Sequence, residues 1–238
     1  MASDLVSQAA QTHAGTYYLV DGEGWINASD LSTTDNRIES VQKVLNEKYN
    51  NQERISVYVK QLDTNRVAAI NDEKSMYAAS VAKLGVLYYA QERLSQKKLS
   101  LSDEYQYTSA VNGFPGAYDP DGSGKISKMP DDKNYSLENL LKAVAQNSDN
   151  VATNILGYYV ANQYDKAFQK SVDKAAATSW NMDKKELTAR AAGTLMEAVY
   201  RQNGDIINYL SSTDYDGERI SKNIDVPVAH KIGDAYDF

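Results

Sequence analysis

Two residues three positions apart draw attention first. Ser80 and Lys83 lie in Met76-Tyr-Ala-Ala-Ser-Val-Ala-Lys-Leu-Gly-Val-Leu87, followed by apolar residues at helical spacing: Val81, Leu84, Leu87, Tyr88 and Leu94. On a helix, positions i and i+3 share a face, so Lys83 would stand one turn above Ser80. A serine hydroxyl is a poor nucleophile until a neighbouring base takes its proton. A lysine among apolar neighbours can lose enough basicity to serve as that base. Taken alone, Ser-x-x-Lys also fits an ordinary solvated pair on a helix.

Two further stretches give the pair company. Ser148-Asp149-Asn150 follows a helix that Ser136 is expected to cap, with Leu137, Leu140, Leu141 and Val144 on its inner face. It precedes a second helix through Val151, Ile155, Leu156 and Tyr159. By residue type alone, Ser, Asp and Asn there could simply be helix caps. Lys231-Ile232-Gly233 follows Val226–Ala229, which reads as a strand entry.

In order and rough spacing, the three stretches resemble the Ser-x-x-Lys, Ser-Asp-Asn and Lys-Thr-Gly elements of class A β-lactamases and penicillin-binding proteins, over roughly Asn36 to Phe238. The resemblance implies an α+β fold in which an antiparallel sheet packs against helices beside a helical lobe, with the site between. It makes Ser80 the nucleophile, Lys83 the general base and Ser148 the proton relay. Asn150 would bond a substrate amide and Asp149 would fix its loop. Lys231 would attract a substrate carboxylate, Gly233 would allow close backbone approach, and the amides of Ser80 and Asp234 would form an oxyanion hole. No cofactor is implied, and the expected substrates are peptidoglycan stem peptides or β-lactams.

Two departures from the family pattern bear on turnover. The family carries a loop whose Glu activates the water that clears the acyl-enzyme. Here Asn181 follows Trp180, and Glu186 stands two residues from the next cap, Thr188. Slow deacylation is therefore expected. Ile232 stands where the family has Thr or Ser, which removes a hydroxyl that would bind a carboxylate. The chain stops at Phe238, before the family's last two strands and helix, so the domain reads as truncated.

The elements ahead of Ser80 fit the same fold. Asp35 is placed to cap a helix to about Tyr49, with Ile38, Val41, Val44 and Leu45 on one face. Ile55–Leu62 and Val67–Ile70 then read as a hairpin around Asp63-Thr-Asn-Arg66. Residues 1–13 are polar and aperiodic, and read as a mobile tail. Residues 14–32 read as a hairpin: a β-prone run from Thr16, a turn at Asp21-Gly-Glu-Gly24, then Trp25-Ile-Asn27. This hairpin resembles the last part of bacterial SH3-like, GW-type wall modules and equally fits a local hairpin.

Asp119-Pro-Asp-Gly-Ser-Gly-Lys-Ile-Ser127 matches the first nine positions of an EF-hand loop, with Asp119, Asp121 and Ser123 as candidate calcium ligands. Pro130 stands at the twelfth position, where a bidentate Glu is needed. The other reading is a turn that uses Asp and Ser for its own backbone bonds.

Composition limits the alternatives. The net charge of −7 and the lack of a basic stripe argue against nucleic acid. No apolar run is long enough to span a membrane. Without cysteine there is no disulfide or thiolate metal site, and with only His13 and His230 a His-rich metal site is excluded. The start, Met-Ala-Ser-Asp-Leu, lacks a signal peptide's basic and apolar regions. That fits a cytoplasmic chain or a secreted one without its leader. The resemblance favours the second, on the surface of a Gram-positive-type bacterium. The reading is thus a β-lactamase-like serine hydrolase. Its alternatives are a catalytically silent wall-binding module of the same fold and a calcium-dependent surface interaction protein.

Overall fold

The computed structural model describes residues 6–31 and 35–235 and divides into two units, 1–72 and 73–238. Residues 1–5 of the expected tail, 32–34 of the linker and 236–238 lie outside the described residues.

In the first unit, β1 (Val6–Thr12), β2 (Gly15–Val20) and β3 (Gly24–Asn27) form an antiparallel meander in that order. One expectation is corrected here: Val6–Thr12 is a strand, not a tail. The expected hairpin is present as β2 and β3, and β1 adds a third strand to it. β1 is exposed on both faces, so its sequence carries no alternation; its ladder with β2, from Val6 opposite Val20 to Thr12 opposite Gly15, makes it a strand.

Then α1 (Arg37–Tyr49) runs where its apolar spacing predicts, and Asp35 Oδ1 accepts the Arg37 N–H at 3.1 Å. Ile38 and Leu45 are buried with Ala68, and Val41, Val57 and Val59 pack around them, whereas Val44 is exposed. The hairpin is β4 (Val57–Gln61) with β5 (Arg66–Ile70), turning through left-handed Asn65.

The second unit is built on α2 (Leu84–Ser95). Leu84, Val86, Leu87, Tyr89 and Ala90 are all buried, so the helix is covered on every side. Around it pack α3 (Leu137–Asn147), α4 (Asn150–Tyr159), α5 (Lys166–Ala176), α6 (Ala189–Gln202) and α7 (Asp205–Leu210). On α3, Leu137, Leu140, Leu141 and Val144 are fully buried, each worth about 1.5–3 kcal/mol of transfer free energy. Caps mark the boundaries: Ser136 accepts from Asn139 N, Asp149 from Ala152 N, Asp165 from Phe168 N and Thr188 from Ala191 N.

Two short antiparallel pairings complete this α+β architecture. β6 (Met76–Tyr77) pairs with β9 (Glu186–Leu187), and β7 (Glu104–Gln106) with β8 (Asn134–Ser136). Among the described residues the strands thus form four small sheets rather than one. Val226–Ala229, expected as a strand, is not one. Val226 is exposed, and the nearby His230 N–H bonds Leu210 O at the end of α7 instead of a ladder partner.

Candidate active site

The chain is aligned before it reaches Ser80. Met76 and Tyr77 pair with Leu187 and Glu186, and Ala78 N–H donates to Lys185 O at 2.8 Å. Ala79 then takes φ +46°, a left-handed conformation that costs a residue with a Cβ on the order of 1 kcal/mol. The turn is held by Val81 N–H to Ala78 O at 2.9 Å and by Tyr118 hydroxyl to Ala79 O at 3.3 Å. Ala79–Lys83 is a 3₁₀ turn and the α-helix starts only at Leu84, which corrects the expected helical start at Ser80. A 3₁₀ turn has three residues per turn, so Ser80 and Lys83 are eclipsed on one side more closely than α geometry would allow.

Lys83 is fully buried. Its Nζ donates to Ser148 O at 2.5 Å and Asn150 Oδ1 at 2.5 Å, with Ser148 Oγ at 3.4 Å; none of these bonds goes to Ser80. Burial, and then the nearby charge of Lys231, hold Lys83 well below the ordinary lysine value. As a neutral amine it has two N–H groups for the two short acceptors, which leaves a lone pair able to take a hydroxyl proton.

The Ser148-Asp149-Asn150 corner joins α3 to α4. Ser148 is left-handed, φ +55°, and ends α3. Asp149 caps α4 through Oδ1, while its Oδ2 accepts from Lys125 N at 2.6 Å and Ile126 N at 2.9 Å. Asn150 has its carboxamide oxygen on Lys83 and its Nδ2 on Asp119 O at 2.7 Å, so these bonds brace Lys83 and the 119–127 loop.

That loop carries the candidate calcium ligands Asp119, Asp121 and Ser123. It is not flanked by a helix pair: it runs from a 3₁₀ turn at Ser109–Asn112 to β8. Asp119 Oδ1 accepts Asp121 N–H at 2.9 Å, and Ser123 O accepts Asn150 N–H at 2.8 Å. Gly122 and Gly124 lie against Asn150 and Asp149 so tightly that a Cβ on either would come within 2.3 Å of those side chains. The glycines and acids here make a turn that packs on the Ser148 corner, which fits the expectation of a turn that uses Asp for its own backbone bonds. Among the described residues no cluster of three His, Asp or Glu is disposed to hold a metal.

Lys231 closes the site. Its Nζ donates to Ser148 Oγ and to Ile232 O, both at 2.8 Å, and burial pushes its pKa down to about 7. Its neighbour His230 anchors the segment. The ring Nε2 is 2.7 Å from Asp216 Oδ1, and the Thr213 hydroxyl and then His230 hold the Asp216 carboxyl below its usual range. Gly233 abuts the nucleophile turn: a Cβ there would stand 2.4 Å from Ala78 O and 3.1 Å from Ser80 N. Asp234 is exposed and ion-paired to Arg219 at 3.1 Å. A cleft of about 160 Å³ is lined by Ser80, Ser123, Ser148, Tyr215, Arg219, Ile232 and Asp234.

Ser80, Lys83, Ser148, Asn150, Lys231 and Gly233 thus converge, and Asp234 borders the same cleft. Sequence reasoning missed Tyr118, Lys185, Tyr215 and Arg219. None belongs to a motif, and only the fold brings them to the site. The segment after Trp180 supplies no buried acid: Asp183 and Glu186 are both exposed, and Glu186 sits in β9 opposite Tyr77. Trp180 is fully buried, its indole N–H on Ala82 O at 3.2 Å, which seats this segment beneath the Ser80–Lys83 turn.

Several solved structures share this architecture. A β-lactamase from Chitinophaga pinensis superposes with a TM-score of 0.62 at 18% identity, covering 82% of this chain and 78% of its own. A β-lactamase from Sphaerobacter thermophilus gives 0.61 at 14% identity, covering 78% and 73%. A variant of PBP-A captured as its acyl-enzyme with penicillin G gives 0.60 at 14% identity, covering 75% and 71%. At such identities the likeness speaks for the fold. A search of curated protein sequences returned no significant match. A family model described as the β-lactamase enzyme family matches residues 36–238. The chain belongs to the β-lactamase enzyme family.

Proposed function

We propose that the chain is a serine acyl-transfer enzyme that opens β-lactams or peptidoglycan-type peptides through an ester on Ser80 and releases that ester slowly. The observation that carries this reading is Lys83. It is buried beside Ser80, with its two short bonds on Ser148 O and Asn150 Oδ1, so its free-amine form keeps a lone pair for a hydroxyl proton. Ser80 Oγ bonds to the substrate carbonyl carbon as its proton passes to Lys83. The C–N bond then breaks, and the departing nitrogen takes a proton delivered through Ser148 Oγ, which Lys231 holds at 2.8 Å. The amides of Ser80 and Asp234 are the expected oxyanion donors.

Deacylation needs a base that positions water, and the exposure of Asp183 and Glu186 supports slow release. The acyl-enzyme that a PBP-A variant forms with penicillin G makes penicillin a reasonable probe. A substrate from the cell wall would put the enzyme at the cell surface. A silent wall-binding module of the same fold draws support from Ile232, which places an apolar side chain in the cleft where a hydroxyl would help hold a carboxylate. Acylation by a fluorescent penicillin separates the two readings: the enzyme is labelled at Ser80 and the silent module is not.

A further inference from the structure

The site holds a second nearly buried cation that none of the motifs contains. Lys185 is about nine-tenths buried, and its Nζ lies 4.4 Å from the centroid of the Tyr118 ring. Lys83 Nζ lies 4.6 Å from the same centroid. The two nitrogens are therefore at most about 9 Å apart, within one Debye length and with the same ring beside both. The backbone fixes this placement. Lys185 O accepts the Ala78 N–H that aligns the nucleophile turn, its own N–H bonds Asn181 O at 3.1 Å, and its Nζ donates to Gly116 O at 3.3 Å.

Building on the acyl-transfer reading, we propose that Lys185 is a positioning residue whose charge, set on the ring it shares with Lys83, adds to burial in favouring the free-amine form of Lys83 that acylation requires. The argument is one of like charges in unequal burial. Of two ammonium groups on one aromatic face system, the deeper one gives up its proton first, and Lys83 is fully buried while Lys185 keeps some exposure. The ring quadrupole and Gly116 O stabilise Lys185 as a cation.

The other charged groups acting on Lys83 are Lys231, Asp149 and Lys128. Asp149 favours its protonated form and acts more strongly than Lys185, Lys128 acts more weakly than Lys185, and burial lowers the Lys231 pKa to about 7. Lys231 therefore fades as a cation around neutrality, and Lys185 is then the charge that offsets part of the Asp149 attraction and adds to the larger effect of burial. On Lys185 itself, burial pulls the pKa down and the Asp183 charge holds it up.

The test is an NMR titration of isotope-labelled lysine side chains, with the Lys83 resonance assigned through Lys83→Arg. It is run on wild type, Lys185→Met, Lys185→Gln and Lys185→Arg, each shown folded by circular dichroism. The Lys83 midpoint should rise by on the order of one pH unit in the neutral variants and return in Lys185→Arg. Using two neutral variants guards against one failing to fold. An unmoved Lys83 midpoint in a folded neutral variant, or a Lys185→Arg protein that behaves like Lys185→Met, overturns the proposal. Penicillin acylation measured alongside keeps the two readings apart. Its acid limb should shift with the Lys83 midpoint. If wild type never acylates, the acyl-transfer reading fails and the assigned role in acylation fails with it, even where the midpoint moves; an unmoved midpoint in an acylating enzyme defeats only the role of Lys185.

Discussion

Gly233 lies against the backbone of Ser80: a Cβ at position 233 would stand 3.1 Å from Ser80 N and only 2.4 Å from Ala78 O. The third motif is thus fitted to the nucleophile turn through main chain, and the absence of a side chain is what permits the fit. Both atoms threatened are backbone, so neither can swing away.

Gly233→Ala should therefore push the 231–235 segment off the turn. Overpacking of this kind costs about 1–3 kcal/mol, and the displaced Ser80 amide is an expected oxyanion donor. Thermal unfolding should show a lower Tm, and penicillin acylation should fall by at least about tenfold. A variant that acylates at the wild-type rate would show that this contact does not organise the site.

Lys231 makes stability depend on pH in a direction unusual for lysine. Its pKa is about 7 in the folded protein against the ordinary 10.5, so between those values the unfolded chain holds the extra proton. Stability from this group should rise as pH climbs from 7 to 10.5, and be flat below 7 where both states are protonated. Lys83, also lowered by burial, adds to the same trend. Denaturant unfolding of wild type and Lys231→Met across this range should show a shallower slope in the variant. Equal slopes would contradict the burial of a titrating Lys231.

Ile232 borders the cleft with Ser80 and Ser148. Ile232→Thr adds a hydroxyl where a substrate carboxylate is expected, and one hydrogen bond of about 0.5–1.5 kcal/mol corresponds to roughly a two- to tenfold gain in acylation efficiency. The second-order rate constant with penicillin should rise accordingly. An unchanged or lower value would mean that substrate carboxylates do not dock beside position 232.

The motifs were legible because short polar groups interrupt strongly apolar helices. Ser148-Asp149-Asn150 stands out between Val144 and Val151, and the caps at Ser136 and Thr188 follow from residue type. The spacing of Phe168, Val172 and Ala176, all buried, is that of the inner face of α5. Other features leave no such mark. The left-handed turn at Ala79 is taken by a residue that gives no sign of positive φ, because neighbouring elements impose it. β1 is largely exposed on both faces and is a strand only through its partner β2. Val226–Ala229 has β-branched character but no ladder partner. Lys185 is an ordinary loop lysine in sequence; Tyr118, 67 positions away, gives it its setting.

The most direct test of the account is intact-mass spectrometry after incubation with penicillin, on wild type and Ser80→Ala. The account predicts one adduct of the full penicillin mass on wild type, persisting for minutes or longer after free drug is removed, and none on Ser80→Ala. Folded wild type that gains no mass, or an adduct that survives Ser80→Ala, would contradict it.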